Sequence, residues 1–356
     1  MDNNIVEKFL QAQNRLVFQS SDLSLEAIAN MVKGEAIDIK PKYQRRERWN
    51  KDKQSALIES FLLNIPVPPI YLAEDEFGKY SVIDGKQRIT SIFNFILQKE
   101  KLINLEKFKE IENLTFDQLP SQLYNALKIR PYIRVITLLK QSDSLLKYEV
   151  FNRLNTGGDK LLSQEIRNAA FESDLNDLLV ELSENEFFRI QFNIETEKNR
   201  EKSKIYKEML DVEYVLRFFT LRDSWSNFNG NMKIAMDNYM EKNYRDDSLD
   251  VNNLRNIFNK TLELCSEIWG ERAFKRPDGR NEIIQGIYDV QTVALSYFLE
   301  EEVKIIERKN QIVEKFEELY FNDSEFQISM RQFTSNIKQV NYRIGTMIKL
   351  FQEILN

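Results

Sequence analysis

The 356-residue chain contains no histidine. That absence removes HNH nuclease centres, HExxH metalloprotease helices, Ser-His-Asp and Cys-His nucleophile pairs, and histidine-containing zinc sites. A lone cysteine, Cys265, has no partner for an intramolecular disulfide. Its helix-like surroundings, Leu264-Cys265-Ser266-Glu267-Ile268, read as a buried thiol rather than a nucleophile. No stretch of about 18 uninterrupted apolar residues exists to form a membrane span. The opening Met1-Asp2-Asn3-Asn4 is polar and unlike a signal peptide, so a cytoplasmic location without a membrane partner is expected. Glycine (10) and proline (7) are also scarce.

Hydrophobic residues make up 42% and charged residues 30%, the balance of a soluble globular protein of roughly two domains. The formal net charge of −6 argues against a uniformly basic nucleic-acid coat but permits a local basic face.

Six of the seven prolines lie between Pro41 and Pro131; Pro277 stands alone beyond them. Helix breakers are therefore concentrated early, and an α+β chain is expected, with a mixed α/β front part and a mostly helical remainder. Apolar spacing predicts helices over 25–33, 51–63 (capped by Asn50) and 88–97, and strands near 37–39, 67–72, 80–83 and 133–138. Helical periodicity then returns over 145–154, from Ser163 to about 171, and over 206–221, 231–240, 254–269, 281–299, 303–316 and 332–354. The charged stretch 194–203 and the segment 274–280 read as loose linkers.

Three stretches can carry chemistry. Asp84-Gly85-Lys86-Gln87-Arg88 joins a strand end to a helix start, where backbone N–H groups and the positive end of the helix dipole converge. Gly85 allows a tight turn, Lys86 and Arg88 add positive charge, and Gln87 both donates and accepts. Asp84 would repel a bare phosphate, which points to an arginine partner or a metal beside it. The run equally fits an ordinary strand–helix turn. Around Lys40-Pro41-Lys42-Tyr43-Gln44-Arg45-Arg46-Glu47-Arg48-Trp49, the span 40–53 holds seven basic residues and two acidic ones. This suits phosphate contact and base stacking, and also a solvated loop whose Trp49 staples the next helix. Phe151-Asn152-Arg153-Leu154-Asn155-Thr156-Gly157-Gly158 reads as a helix end whose glycines permit close approach to a ligand, or as a plain C-cap. Further on, Ser163-Gln164-Glu165-Ile166-Arg167-Asn168 opens a helix with Glu165 in its first turn, where the dipole favours acids.

Taken in order, these stretches, with Leu57-Ile58-Glu59-Ser60 and Ile65-Pro66-Val67-Pro68-Pro69-Ile70-Tyr71-Leu72 between them, resemble the GmrSD-type N-terminal domain family. The resemblance covers about residues 20–175. It implies a ParB/sulfiredoxin-like domain over 1–175 and a helical domain over 176–356. The family's DGQQR signature stands here as Asp84-Gly85-Lys86-Gln87-Arg88, with lysine in the third position. Gln44 and Arg45 match the family's upstream Gln-Arg pair, and Asn152, Arg153 and Asn155 its Asn-rich helix end. Family members with a nuclease half build it around histidine, so the resemblance implies a member without the HNH nuclease domain.

By the same resemblance, the expected function is nucleotide binding with NTP hydrolysis in a restriction-type or antiphage defence system. Asp84, Gln87 and Arg88 are then the catalytic candidates. Gln44, Arg45, Gly85, Lys86, Arg88, Asn152, Arg153 and Asn155 would bind the nucleotide, with Asp84 as the residue for Mg²⁺. Two other readings stand beside it. Lys42, Arg45, Arg46 and Arg48 would contact DNA in a non-catalytic DNA-binding or sensor component. Carboxylates near Asp84, with Glu165, would serve a metal-dependent DNA nickase. Expected partners are a nucleotide, DNA, a separate nuclease or defence protein, and further copies of the chain.

Overall fold

The computed structural model describes residues 5–6, 9, 16–39, 49–142, 148–150, 153–154, 162–171, 173–244, 246, 248–331 and 335–356. They fall into two compact units, Met1–Leu162 and Ser163–Asn356.

The first unit is built on a mixed five-stranded sheet of order β1-β5-β3-β4-β2. Its strands are β1 (Phe18–Ser24), β2 (Ile37–Asp38), β3 (Ile70–Glu76), β4 (Lys79–Asp84) and β5 (Tyr132–Leu138). β1 runs antiparallel to β5, β5 parallel to β3, β3 antiparallel to β4, and β4 parallel to β2. The sheet is accompanied by helices α1 (Leu25–Lys33), α2 (Lys51–Leu62), α3 (Lys86–Leu97) and α4 (Ser121–Ile129).

Local chemistry explains most of these elements. Ser24 Oγ accepts the Ala27 N–H to start α1, and Leu25, Ile28, Ala29 and Val32 form its buried stripe. The expected Asn50 cap is present: its side chain accepts the Lys53 N–H at 3.0 Å. Leu57, Ile58 and Phe61 of α2 join Ile89, Ile92 and Phe95 of α3 and Leu72, Val82, Ile133 and Val135 of the sheet in one core. β1 was not foreseen. Phe-Gln-Ser-Ser-Asp-Leu-Ser shows no apolar alternation because it is an edge strand that buries little on either face.

Glu59 of α2 is 5% exposed. Its carboxylate accepts the backbone N–H groups of Glu106 (3.1 Å), Lys107 (2.7 Å) and Phe108 (3.0 Å), tying that loop to the core. Burial alone raises a carboxyl pKa, but the three N–H donors outweigh it and hold Glu59 below its usual value.

The second unit is helical. It comprises α5 (Ser163–Ala170), α6 (Asp174–Ser183), α7 (Glu186–Gln191), α8 (Glu197–Arg200), α9 (Lys204–Lys207), α10 (Leu210–Ser224), α11 (Met232–Asn243), α12 (Val251–Trp269), α13 (Gln285–Asp289), a π-helical turn Val290–Ala294, α14 (Glu302–Glu307), α15 (Lys309–Asn322), α16 (Ser324–Arg331) and α17 (Ile337–Leu355). Several expected helices are divided. The 206–221 segment breaks at Met209, which takes the left-handed conformation (φ 55°), and the 303–316 segment breaks at Arg308. Apolar periodicity continues across such breaks, so spacing does not reveal them.

The two expected linkers are anchored rather than loose. Ile194 is fully buried, and Arg200 Nε donates to its carbonyl at 2.9 Å. Phe274 is likewise buried, and Lys275 bridges to Ile283.

Asp289 is central to this unit. Both carboxylate oxygens accept from Arg217 at 2.7 Å, and Arg343 Nη2 reaches Oδ2 at 2.6 Å, with all three residues buried. Burial pushes the Asp289 carboxyl up, yet the two guanidinium groups hold it below the ordinary carboxylate range. Three residues earlier in the same helix, Gly286 packs so closely that an added Cβ would lie 2.5 Å from the Met330 carbonyl oxygen.

Glu59→Gln is expected to cost about 1–3 kcal/mol at pH 7 in denaturant unfolding, because one side-chain oxygen becomes a donor facing donors. Because the folded pKa lies below the reference 4.5, the native carboxylate contributes fully above that pH and progressively less as pH falls through the folded value. The gap between wild type and variant should narrow accordingly in acid. Gly286→Ala is expected to cost at least about 2 kcal/mol, since backbone must move. Gly345→Ala, whose Cβ would meet nothing nearer than Trp225 at 3.6 Å, should instead gain about 0.5–1 kcal/mol of helix stability.

Candidate functional site

The Asp84-Gly85-Lys86-Gln87-Arg88 run joins β4 directly to α3, with Asp84 the last strand residue and Lys86 the first helical one. Gly85 makes the turn at φ 97°, a left-handed conformation that side chains disfavour. A Cβ there would also sit 3.0 Å from Ile70 Cγ1 and 3.1 Å from Arg88 Nη2. Among the described residues no side-chain hydrogen bond caps the start of α3, where the positive end of the helix dipole lies.

The five side chains are held from several directions. Arg88 Nη2 donates to Asp84 Oδ2 at 2.6 Å and to the Pro69 carbonyl at 3.0 Å. The arginine side chain is 13% exposed and that of Asp84 44%. Arg88 Nε is buried without a hydrogen-bond partner among the described residues. Gln87 Oε1 accepts the Trp49 N–H at 3.0 Å, and the Trp49 carbonyl accepts from Gln54 Nε2 at 2.9 Å. Gln54 Oε1 in turn accepts from Asn94 Nδ2 at 3.2 Å. The residue that follows the basic stretch is thereby fastened to the motif glutamine and, through Gln54, to both α2 and α3. Ser91 Oγ closes the first turns by donating to the Gln87 carbonyl at 2.7 Å.

The other sequence-predicted residues divide into two groups. Lys42, Gln44, Arg45, Arg46, Arg48, Asn152 and Asn155 lie outside the described residues. Arg153 is described: it is 78% exposed and pairs with Glu149 one turn earlier.

In the helical unit, α5 carries a feature that spacing did not disclose. Gln164, Glu165, Arg167 and Asn168 are all fully buried. Arg167 donates to Asp237 Oδ1 at 2.7 Å, to Glu213 Oε2 at 2.9 Å and to Gln164 Oε1 at 3.0 Å, while Gln164 Nε2 donates to Asn168 Oδ1 at 2.9 Å. A helix this polar reads in sequence as a surface helix; only the positions of Glu213 and Asp237 reveal that its buried Arg167 is ion-paired within the unit. Cys265 is buried as expected, and burial pushes its thiol well above the usual range, which argues against a thiolate nucleophile.

Among the described residues no group of three or more His, Cys, Asp or Glu side chains is placed to hold a metal ion. At the β4–α3 turn the donor set is one carboxylate already engaged by a guanidinium, a poor match for a protein-built metal cage. No described helix is long and apolar enough to cross a membrane.

A mixed α/β domain carrying this acid–glycine–cation turn defines the class to which the first unit belongs. Residues 28–172 match the family described as GmrSD restriction endonuclease, N-terminal domain, the family that the motif order resembles. No curated protein and no solved structure matches the chain.

Gly85→Ala is expected to lower unfolding stability by roughly 1–3 kcal/mol, from the left-handed backbone together with the Ile70 contact. Chemical denaturation followed by far-UV circular dichroism measures it.

Proposed function

We propose that the chain is a component of a restriction-type or phage-defence system, and that its first unit binds a nucleotide at the β4–α3 turn and hydrolyses it. The observation that carries this reading is the start of α3 directly behind the left-handed Gly85, with Asp84, Lys86, Gln87 and Arg88 gathered on one turn. Backbone N–H groups at a helix start bind phosphate oxygens, and Lys86 adds a positive charge. Arg88, held by Asp84 and the Pro69 carbonyl, supplies a pre-oriented guanidinium. Phosphoryl transfer needs chiefly positioning and charge neutralisation, which this set of groups can provide without histidine or cysteine.

In this reading Asp84 is a positioning residue for Arg88. Gln87 keeps the Trp49 end of the basic stretch beside the turn, so that Gln44 and Arg45 contribute from that stretch. Asp84, the half-exposed carboxylate of this turn, is the residue that would hold a Mg²⁺ ion brought with the nucleotide, which would supply neutralisation of phosphate charge. The restriction and defence context rests on the name of the family that residues 28–172 match. The DNA-contact and nickase readings rest on sequence alone.

The test combines binding and turnover. A thermal-shift screen with ATP, GTP, CTP and UTP is expected to raise the melting temperature with at least one nucleotide. Asp84→Ala should lower phosphate release by about 10²-fold in a malachite-green assay while the protein stays folded. Wild-type turnover by that variant, or the absence of any nucleotide-dependent shift, would overturn the proposal.

A further inference from the structure

Helix α2 uses its polar residues in two directions. Asp52 Oδ1 accepts from Asn104 Nδ2 at 2.7 Å, Ser55 Oγ accepts the Ile103 N–H at 3.0 Å, and Glu59 accepts the N–H groups of Glu106, Lys107 and Phe108. Those three side chains serve one loop. Gln54 reaches α3 and Trp49 instead. Its Oε1 accepts from Asn94 Nδ2 of α3 at 3.2 Å, and its Nε2 donates to the Trp49 carbonyl at 2.9 Å. The Trp49 N–H donates to Gln87 Oε1 at 3.0 Å. The backbone of Trp49 is thus gripped twice, from α3 by Gln87 and from α2 by Gln54.

Gln87, Ser91 and Asn94 stand at i, i+4 and i+7, which places them on one face of α3. Ser91 is 1% exposed and donates to the Gln87 carbonyl. The hydrogen bonds therefore form a circuit that leaves α3 at Asn94, passes through Gln54 and Trp49, and returns to α3 at Gln87. Its polarity is fixed by the backbone. A carbonyl oxygen accepts and an N–H donates, so the Trp49 carbonyl requires the amino end of Gln54 and the Trp49 N–H requires the oxygen of Gln87. With its amino end committed, Gln54 presents its oxygen to the donor of Asn94. Holding a glutamine side chain in one rotamer costs conformational entropy that a single part-exposed hydrogen bond barely offsets. The second grip on Trp49 is what makes the orientation of Gln87 firm.

We infer that Gln54 and Asn94, which lie outside the Asp84–Arg88 run, are positioning residues for the β4–α3 turn. Through the Trp49 backbone they hold the Gln87 amide in one orientation. Their consequence for turnover rests on the nucleotide reading of that turn.

Two readouts test this. In a protein carrying Trp225→Phe and Trp269→Phe, Trp49 is the remaining tryptophan. Acrylamide quenching of its emission then reports how firmly it is held, whether or not nucleotide is turned over. Gln54→Leu, similar in size and at a half-buried helical position, should stay folded by circular dichroism and raise the quenching. Asn94→Asp keeps the shape but offers no donor, so the Gln54 amide must turn away from Trp49 and quenching should rise again; a role in packing alone would leave it unchanged. Gln87→Leu should raise quenching too, and adding Gln54→Leu to it should change little, because both act on one circuit. The second readout is a malachite-green assay with whichever of ATP, GTP, CTP and UTP gives the largest thermal shift. Gln54→Leu and Asn94→Asp are each expected to lower kcat about tenfold, the worth of one hydrogen bond. Gln54→Leu should have no further effect in Gln87→Leu protein. Unchanged Trp49 quenching in folded Gln54→Leu protein, or additive effects of Gln54→Leu and Gln87→Leu, would overturn the inference. A wild-type protein that turns over no nucleotide would overturn the reading of the turn instead, and the quenching would still decide the positioning.

Discussion

The ion pair between Asp84 and Arg88 organises the part of the molecule most suited to chemistry. It spans one helical turn, bridges the last residue of β4 to the first turn of α3, and extends through Arg88 to the Pro69 carbonyl just before β3. The arginine thus links two adjacent strands and a helix, lying under Gly85 where a side chain would collide with it. A part-exposed pair of this type, open to solvent at its carboxylate, contributes little to stability. Its value here is geometric, because it fixes a guanidinium beside a helix start and confines the turn to a backbone that only glycine adopts readily.

A different constraint governs the helical unit. Asp289 is buried between Arg217 and Arg343, and removing one member of such a set leaves uncompensated charge in the core. The turn that carries Asp289 also carries Gly286, pressed against the Met330 backbone, and leads straight into the π-helical residues that present Gln291. Charge pairing and close packing together hold in place an irregular segment that hydrogen bonding alone would make less favourable than a regular helix. The buried polar face of α5 follows the same logic, with Glu213 and Asp237 matching Arg167.

Much of the first unit was legible in sequence because its signals are local. The Leu25–Val32 stripe, the Asn50 cap and the apolar spacing of α3 each operate within a few residues. β1 was not legible, since Phe18 pairs with Leu138 and Ser24 with Tyr132, more than a hundred positions away. Nor were the breaks at Met209 and Arg308, where the apolar stripe runs on through a change of direction. The charged 194–203 segment looked like a linker because composition records its polar residues but not the burial of Ile194 beneath them. For the site, the residues Asp84 to Arg88 could be named from their types and order, whereas the ties of Gln87 to Trp49 and of Arg88 to Pro69 could not.

The sequence by itself determined which chemistries are closed to this chain, through the absence of histidine and the single buried cysteine. It also determined the α+β order of elements and the run that becomes the β4–α3 turn. Tertiary structure alone decided which carboxylate meets which guanidinium and which polar helix is buried. The physical reason is range. Propensity, capping and periodicity act over a turn or two of chain, while ion pairing, burial and hydrogen-bond satisfaction depend on neighbours that folding brings together from distant positions.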